Sequence, residues 1–409
     1  MYSDLADYYL RWYHDRPVGI TSARRDELRR LHAVLYKCAE HFALHYEDYV
    51  PRWMPLGERE LELLSWQRAY PFRAGTWRPD YLITASGELK LCEITSRFFA
   101  HGIFMSWFSE RAADLFLQRF PGASRNSRYG ALLDHMRGLP GGRKRIFVFK
   151  SSDRTSEIRL YKRFYEACGC EVNVLEFNEV DARRPEWSHD AFLVSALNQR
   201  DLTALADDSI RAMLDLGIYS DLRNVFLLHD KRFMRLWFED AFTDNCLTPE
   251  ESVFLRAHAI PTYICAEEGA AVRDARTHKD GYILKPWRLG KSEGVFAGPL
   301  TGPEQWERLW EGPADSMVLQ PFLPQRTCST IWEGTSFDDY FCGMMLCVDD
   351  RYFDSGMFRC SSLPVTNVGD NRKACSLHTD DPELLRYCDL LGSLPPISPI
   401  SCPISLTGS

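Results

Sequence analysis

Between residues 144 and 240, short apolar runs take turns with amphipathic stretches of helical period: RIFVFK, SEIRLYKRFYEACG, VNVLEF, AFLVSAL, LADDSIRAMLDLG and VFLLHD. Strands covered on both faces need not alternate polar and apolar residues, so this rhythm predicts a parallel sheet flanked by helices. It constrains the chain to an α/β (mixed α+β) architecture with a Rossmann-like unit at 144–240. That unit lacks the glycine fingerprint of dinucleotide folds, so no NAD is assigned to it. Residues 1–65 space their apolar positions at helical intervals (DELRRLHAVLYKCAEHFALHY, LGERELELLSW) and predict a helical N-terminal region. Residues 66–143 carry a hairpin and then two helices, FSERAADLFLQRF and YGALLDHMRGL, stopped at LPGG. Residues 241–392 open on a capped helix, LTPEESVFLRAH, with Thr248 as N-cap and Pro249 at the first helical position. The strands YILKPW, MVLQPFL, DYFCGMMLCV and RYFDSGMFRC follow. Residues 393–409, SLPPISPISCPISLTGS, are too rich in proline for a helix or central strand, and predict disorder.

The hairpin, RPDYLITASGELKLCEITSR at 78–97, is chemically unusual. With ASGE as its loop and Thr84 opposite Leu89, the constant index sum of an antiparallel pair sets Leu82 against Leu91, Asp80 against Glu93 and Arg78 against Thr95. Directly opposed side chains lie about 5 Å apart, where two carboxylates repel by roughly 3 kcal/mol at an effective dielectric of 20. Arg78, a shared proton or a divalent cation bound by both acids are three ways to offset that repulsion; a solvated hairpin end with splayed acids is the bland alternative.

The 409 residues, 45% hydrophobic, are enough for two or three structural units, and the net charge of -8 argues against nonspecific binding to nucleic acid or an anionic membrane. The start, MYSDLADYYLRWYHD, has no apolar core of a signal peptide, and the expected location is cytoplasmic. Thirteen cysteines without a C-x-x-C pair read as buried free thiols of a reducing compartment. The aromatic N-terminal helices are a candidate homodimer surface.

A second stretch, YILKPWRLGKSEGVFAG at 282–298, delivers Lys285 on a strand and then a loop with Gly290, Lys291, Glu293 and Gly294. Glycine freedom lets backbone N–H groups aim at phosphate oxygens while the two lysines supply charge. It is not a P-loop, because Lys285 stands where the first glycine of that motif belongs. A polar turn with surface lysines is the plain alternative.

Together with HDKRFMRLW, which carries Lys231, these pieces resemble circularly permuted ATP-grasp ligases, the group of eukaryotic glutathione synthetase and glutathionylspermidine synthase. RPDYLITASGELKLCEITSR is similar to their R-x-D, hairpin, E-x-N signature, YILKPWRLGKSEGV to their L-K-P and G-x-E-G segment, and MVLQPFL to their adenine-holding strand. The resemblance spans roughly residues 70–375. It implies an ATP-grasp nucleotide site, with Asp80, Glu93 and Glu293 as Mg²⁺ ligands and Thr95 in place of the usual asparagine. It further implies Arg78 on the transferred phosphoryl group, Lys231, Lys285 and Lys291 on nucleotide phosphates beside Gly290 and Gly294, and Gln320 and Phe322 at the adenine. Arg359 would hold the acyl oxygen, and Ser96, Arg97 and His101 would contact the substrate. The implied reaction is ATP- and Mg²⁺-dependent ligation of a small-molecule carboxylate to an amine, amino acid or peptide through an acyl phosphate.

Two other readings use the same residues. Pro79-Asp80 and Glu93-Ile94-Thr95 imitate the P-D and E-x-K core of metal-dependent nucleases, with threonine where the lysine belongs. A nucleotide-binding protein with a decayed ATP-grasp site is the other. The 359–373 loop, RCSSLPVTNVGDNRK, is a candidate lid or a solvated surface loop.

Overall fold

A computed structural model describes residues 2–118, 120, 122–151, 156–290, 292–366, 370–385 and 389–391. Lys291 and the 393–409 tail lie outside the described residues. Helix Ser22–Trp53 opens with Thr21 as its N-cap, the threonine hydroxyl accepting from the Arg24 amide at 3.2 Å. Leu28, Leu31, Leu35, Cys38 and Phe42 recur at helical spacing and are buried in the main core. Phe42 stacks on Phe233 with ring centroids 5.1 Å apart, and Tyr46, Tyr49 and Trp53 are buried beside it. Phe42, Tyr46, Tyr49 and Trp53 therefore pack inside their own chain, whereas Tyr8 of the same N-terminal region is 55% exposed.

The hairpin belongs to a seven-stranded sheet. Leu89–Thr95 pairs with Thr76–Ile83, which pairs with the long strand Thr335–Val348, followed by Phe358–Ser361 and Lys373–Ala374. The strand expected over RYFDSGMFRC is two strands, Arg351–Ser355 and Phe358–Ser361, both paired with Thr335–Val348. Asp354 at φ 66° and Gly356, whose absent Cβ would lie 2.7 Å from the Ser106 hydroxyl, break the run between them. Gly343 on the long strand is needed for another reason: a Cβ there would lie 2.3 Å from the Tyr81 ring. A four-stranded antiparallel sheet, ordered Tyr263–Ile264, Met317–Pro321, Tyr282–Pro286, Phe296–Ala297, stands on a small core of its own around Trp306 and Leu319.

The parallel sheet forms as predicted, with Arg145–Lys150 between Glu171–Glu176 and Ala191–Ala196. VFLLHD is not its fourth strand. Asn224–Leu228 is a π-helical turn with every residue buried, and its Asn224 amide donates to the carbonyls of Arg73 and Ala74 at 3.0 and 2.8 Å. A short run apolar on all sides reads the same as strand or as buried helix. The sequence pattern could not separate the two. Among the described residues no helix is long and apolar enough to cross a membrane.

Candidate active site

The hairpin keeps the pairs that matter through an irregularity the sequence did not reveal. Near the turn Ile83 pairs with Leu89 and Tyr81 with Leu91, one residue out of the expected register. A bulge then takes up Cys92 between Asp80 and Tyr81, and the open end recovers Asp80 opposite Glu93 and Arg78 opposite Thr95. Each of the two acids is paired with cationic side chains of the protein. Asp80, 1% exposed, accepts from Arg78 Nε at 2.7 Å and Nη2 at 2.9 Å, and from Arg359 Nη2 at 2.7 Å. Glu93 pairs with Lys231 at 3.0 Å. Burial alone would raise the Glu93 pKa, but Lys231, then His229 and Lys285, outweigh it and hold the carboxyl at about 2.

Lys231 is fixed from several sides. Its amide donates to the Trp287 carbonyl at 2.9 Å and its ammonium to the Leu289 carbonyl at 2.6 Å. Beside it the buried pair Asp230 and Arg232 ties through Arg288 to Glu60 of helix Glu58–Gln67. The π-helical turn, the N-terminal helices and the loop after Tyr282–Pro286 thus share one ion network. Lys285 donates to Gln320 Oε1 at 2.7 Å and to the carbonyl of the bulged Cys92 at 3.2 Å. Burial pushes its pKa down. Gln320, fully buried, gives its amide to the Thr262 hydroxyl at 2.8 Å, so both ends of that side chain are spent positioning Lys285.

Two cavities meet here. A slit of about 90 Å³ is walled by Leu82, Ile260, Ile283, Val295, Phe322 and Leu323, with Lys231 and Lys285 at its polar end. The amide of Phe322 already donates to the Gly281 carbonyl. A chamber of about 350 Å³ lies between the hairpin and the carboxyl ends of the parallel strands, lined by Arg78, Thr95, Arg97, His101, Glu157 and His229 among others. Glu93 and Arg359 line both. Neither ring nitrogen of His229, nor Nε2 of His101, has a hydrogen-bond partner among the described residues. Burial, then Lys231 and Arg97, bring His229 down to about 3. Burial, then Arg78, keeps His101 well below the usual imidazole range, and its φ of 48° is strained for a residue with a side chain. Glu157 accepts from the amides of Gly102 and Phe104 at 2.8 and 3.1 Å, which holds the His101 loop against the chamber.

The structure brings together Arg78, Asp80, Glu93, Thr95, Lys231, Lys285, Gln320, Phe322 and Arg359, with Arg97, His101 and Gly290 on the chamber wall. Other expectations are corrected. Ser96 is buried and donates to the Asn224 carbonyl at 2.9 Å, so it faces the fold and not the chamber. Gly294, at φ 66°, makes room for the Pro286 ring, which a Cβ would meet at 2.9 Å. The amides of Glu293 and Val295 close turns onto Gly290 and Ser292, so the glycine loop satisfies itself. Glu293 lines a third cavity with Glu60, Arg200 and Arg288, which adjoins the chamber through Arg97 and Gly290.

The magnesium set fails with it. Among the described residues no three of His, Cys, Asp and Glu gather closely enough to hold a metal ion. Both Asp80 oxygens are taken by guanidinium groups and Glu93 by an ammonium, so these acids as placed do not fit a resident divalent cation. Four cationic side chains, Arg78, Lys231, Lys285 and Arg359, face two carboxylates. That is the charge balance of an anion site.

Sequence reading missed His229, Lys150 and Glu157. Lys150 ends a parallel strand and Glu157 opens the helix after it, and ligands of open α/β sheets sit at the carboxyl ends of strands. That rule was the available signal.

The chain is similar to known proteins in three respects. Residues 29–227 match the AnkG N-terminal domain family. The ATP-grasp enzyme ankG of Aspergillus thermomutatus is 25% identical over 382 aligned residues, covering 79% of each chain. A glutathione synthetase-like effector from Globodera pallida, solved in its apo form, superposes with a TM-score of 0.56 over 91% of this chain and 95% of its own, at 12% identity.

Proposed function

We propose that this chain is of the ATP-grasp, glutathione synthetase-like kind and acts as an ATP-dependent ligase that joins a carboxylate to an amine, a reading supported by its similarity to an ATP-grasp enzyme and to a glutathione synthetase-like fold. The observation that carries the proposal is the shared wall: Glu93 and Arg359 belong both to the apolar slit and to the cationic chamber. ATP takes the slit, its base against Ile283, Val295 and Phe322 and its phosphates toward Lys231 and Lys285. At about 90 Å³ the slit is smaller than a nucleotide, so binding widens the gap between the four-stranded and seven-stranded sheets.

The carboxylate substrate takes the chamber, drawn by Arg78, Arg97 and Arg359. Its oxygen attacks the γ-phosphorus, ADP leaves, and the carbon becomes an acyl phosphate. The amine then attacks that carbon, phosphate leaves, and the amine releases a proton as the amide forms. Arg78 and Arg359, fixed on Asp80 before any ligand arrives, spread the charge of the transfer without reorganising. No step is assigned to magnesium.

The test is ADP release across a panel of carboxylates and amines, with hydroxylamine to trap the acyl phosphate as a hydroxamate. Turnover should require both partners and fall in the double variant Asp80→Asn, Glu93→Gln. Equal turnover in that variant would end the assignment. One observation favours a second reading, a nucleotide binder without turnover: Asp80 is already saturated by two arginines. In that case ADP or ATP raises the melting temperature and no panel member releases ADP. The same saturation removes support from the nuclease reading, which needs Asp80 as a metal ligand.

A further inference from the structure

The proposed reaction leaves two nucleophiles unused, and they stand together. Cys92 and Cys342 line the slit with their sulfurs 4.0 Å apart. They sit on the strands flanking Thr76–Ile83. Arg359 Nη2, which holds Asp80, also donates to Cys342 Sγ at 3.4 Å. The other buried thiols are differently placed. Burial pushes Cys38 and Cys347 well above the ordinary thiol range, whereas at Cys342 the hydrogen bond with Cys92, with Arg359 and Arg78 behind it, pulls the pKa down against burial. A thiolate beside a guanidinium at a cavity wall is the setting in which cysteine reacts.

We propose that Cys342 is a modification site for small oxidants and soft electrophiles that enter the slit, and that its modification shuts off the nucleotide end of the site. With hydrogen peroxide, the Cys342 sulfur attacks one oxygen: an S–O bond forms and the O–O bond breaks. The sulfur is oxidised to a sulfenic acid, and the other oxygen leaves as hydroxide and is protonated to water. With iodoacetamide an S–C bond forms and iodide leaves. Cys92 does not complete a disulfide. Two strand spacings set the Cα atoms roughly 9–10 Å apart, beyond the approximately 7 Å that a disulfide spans without backbone movement. Cys92 donates to the Asp80 carbonyl at 3.4 Å and stays a thiol, and the sulfenic acid at Cys342 persists until an added thiol reduces it. The shut-off rests on the reading of the slit as the nucleotide site; the reactivity of Cys342 does not.

The test treats the full-length protein with limiting iodoacetamide, or with peroxide followed by dimedone, and maps adducts by peptide mass spectrometry. Cys342 should label at least about tenfold faster than Cys38 and Cys347, as expected for a thiol beside a guanidinium at a cavity wall against thiols in the core. Arg359→Gln should slow that labelling and Arg359→Lys, which keeps a cation beside the sulfur, should recover it. The adduct should vanish in Cys342→Ser. Bound ADP should protect, and peroxide should abolish ADP-dependent thermal stabilisation until dithiothreitol is added. Labelling of Cys342 no faster than of Cys38 and Cys347, or a Cys92–Cys342 disulfide as the product, overturns the proposal. Fast labelling that ADP neither slows nor responds to overturns the shut-off and the nucleotide reading together, and leaves the reactive thiol standing.

Discussion

The slit and the chamber are built from the same few residues yet treat polar atoms in opposite ways. In the slit every cation is engaged: Lys285 with Gln320 and the Cys92 carbonyl, Lys231 with Glu93 and the Leu289 carbonyl. On the chamber side, His229 and His101 keep ring nitrogens with no hydrogen-bond partner among the described residues, although both are almost fully buried. An orphaned buried polar atom costs stability of about 1–3 kcal/mol. A fold that tolerates it beside the engaged lysines of the slit has concentrated its unmet hydrogen bonding on the chamber side and on the shared wall, where Arg359 Nε is also without a partner among the described residues. The difference teaches that the lysines at the slit's polar end are held before ligand arrives, even though the apolar gap beside them must widen, whereas the chamber wall is completed by what enters it.

The strongest way to break this contrast is to remove a residue common to both sides. Arg359→Met leaves Asp80 buried on Arg78 alone, and should cost on the order of 3 kcal/mol of stability, read by denaturant unfolding, with any ADP-releasing turnover reduced about 100-fold or more. A drop in turnover with unchanged stability would mean that Asp80 does not depend on Arg359.

Acid titration separates the two sides next. The His229 pKa is depressed from 6.5 to about 3, so the unfolded chain binds the proton first, and stability present above pH 6.5 falls as pH drops from there toward 3. The loss is about 2 kcal/mol by pH 5, and His229→Gln should flatten it in pH-dependent melting curves. Glu93 works in a lower window. Its folded pKa of about 2 against 4.5 gives stability that is full above pH 4.5 and lost as pH falls toward 2, and Glu93→Gln should remove that limb, roughly 1–2 kcal/mol after solvent screening. Because Glu93 and His229 each act on the other's ionisation across the shared wall, each variant should also shift the other's window, and two windows that ignore one another would break that coupling.

The smallest effect concerns metal. Because the acids are paired with protein cations, ADP-dependent thermal stabilisation should change little when EDTA replaces magnesium. A collapse of that stabilisation in EDTA would mean that the arginines yield Asp80 to a cation when nucleotide binds.

Much of this was legible in the chain because it followed from periodicity. Asp80 opposite Glu93 came from an index sum, and the capped helix at Thr248 and the strand bearing Lys285 came from cap chemistry and pattern. What was not legible depended on tertiary partners. The bulge at Cys92 shifts the register near the turn and restores it at the open end, so the expected pairing of the acids held although the pairs by the turn did not. Asn224–Leu228 reads as a strand until its surroundings are known to cover it on every side. The glycine loop carried the right residue types, but only the Pro286 ring and the turn onto Gly290 decide that Gly294 serves packing and that Glu293 points elsewhere.

Glu93 and Arg359, as the common wall, have a thermodynamic consequence. A polyanion settling on one side withdraws positive potential from the other, while a substrate that engages Glu93 frees Lys231 for its neighbour. Occupancy of the two compartments is therefore linked, and linkage is reciprocal: each ligand changes the other's dissociation constant by the same factor, whichever arrives first.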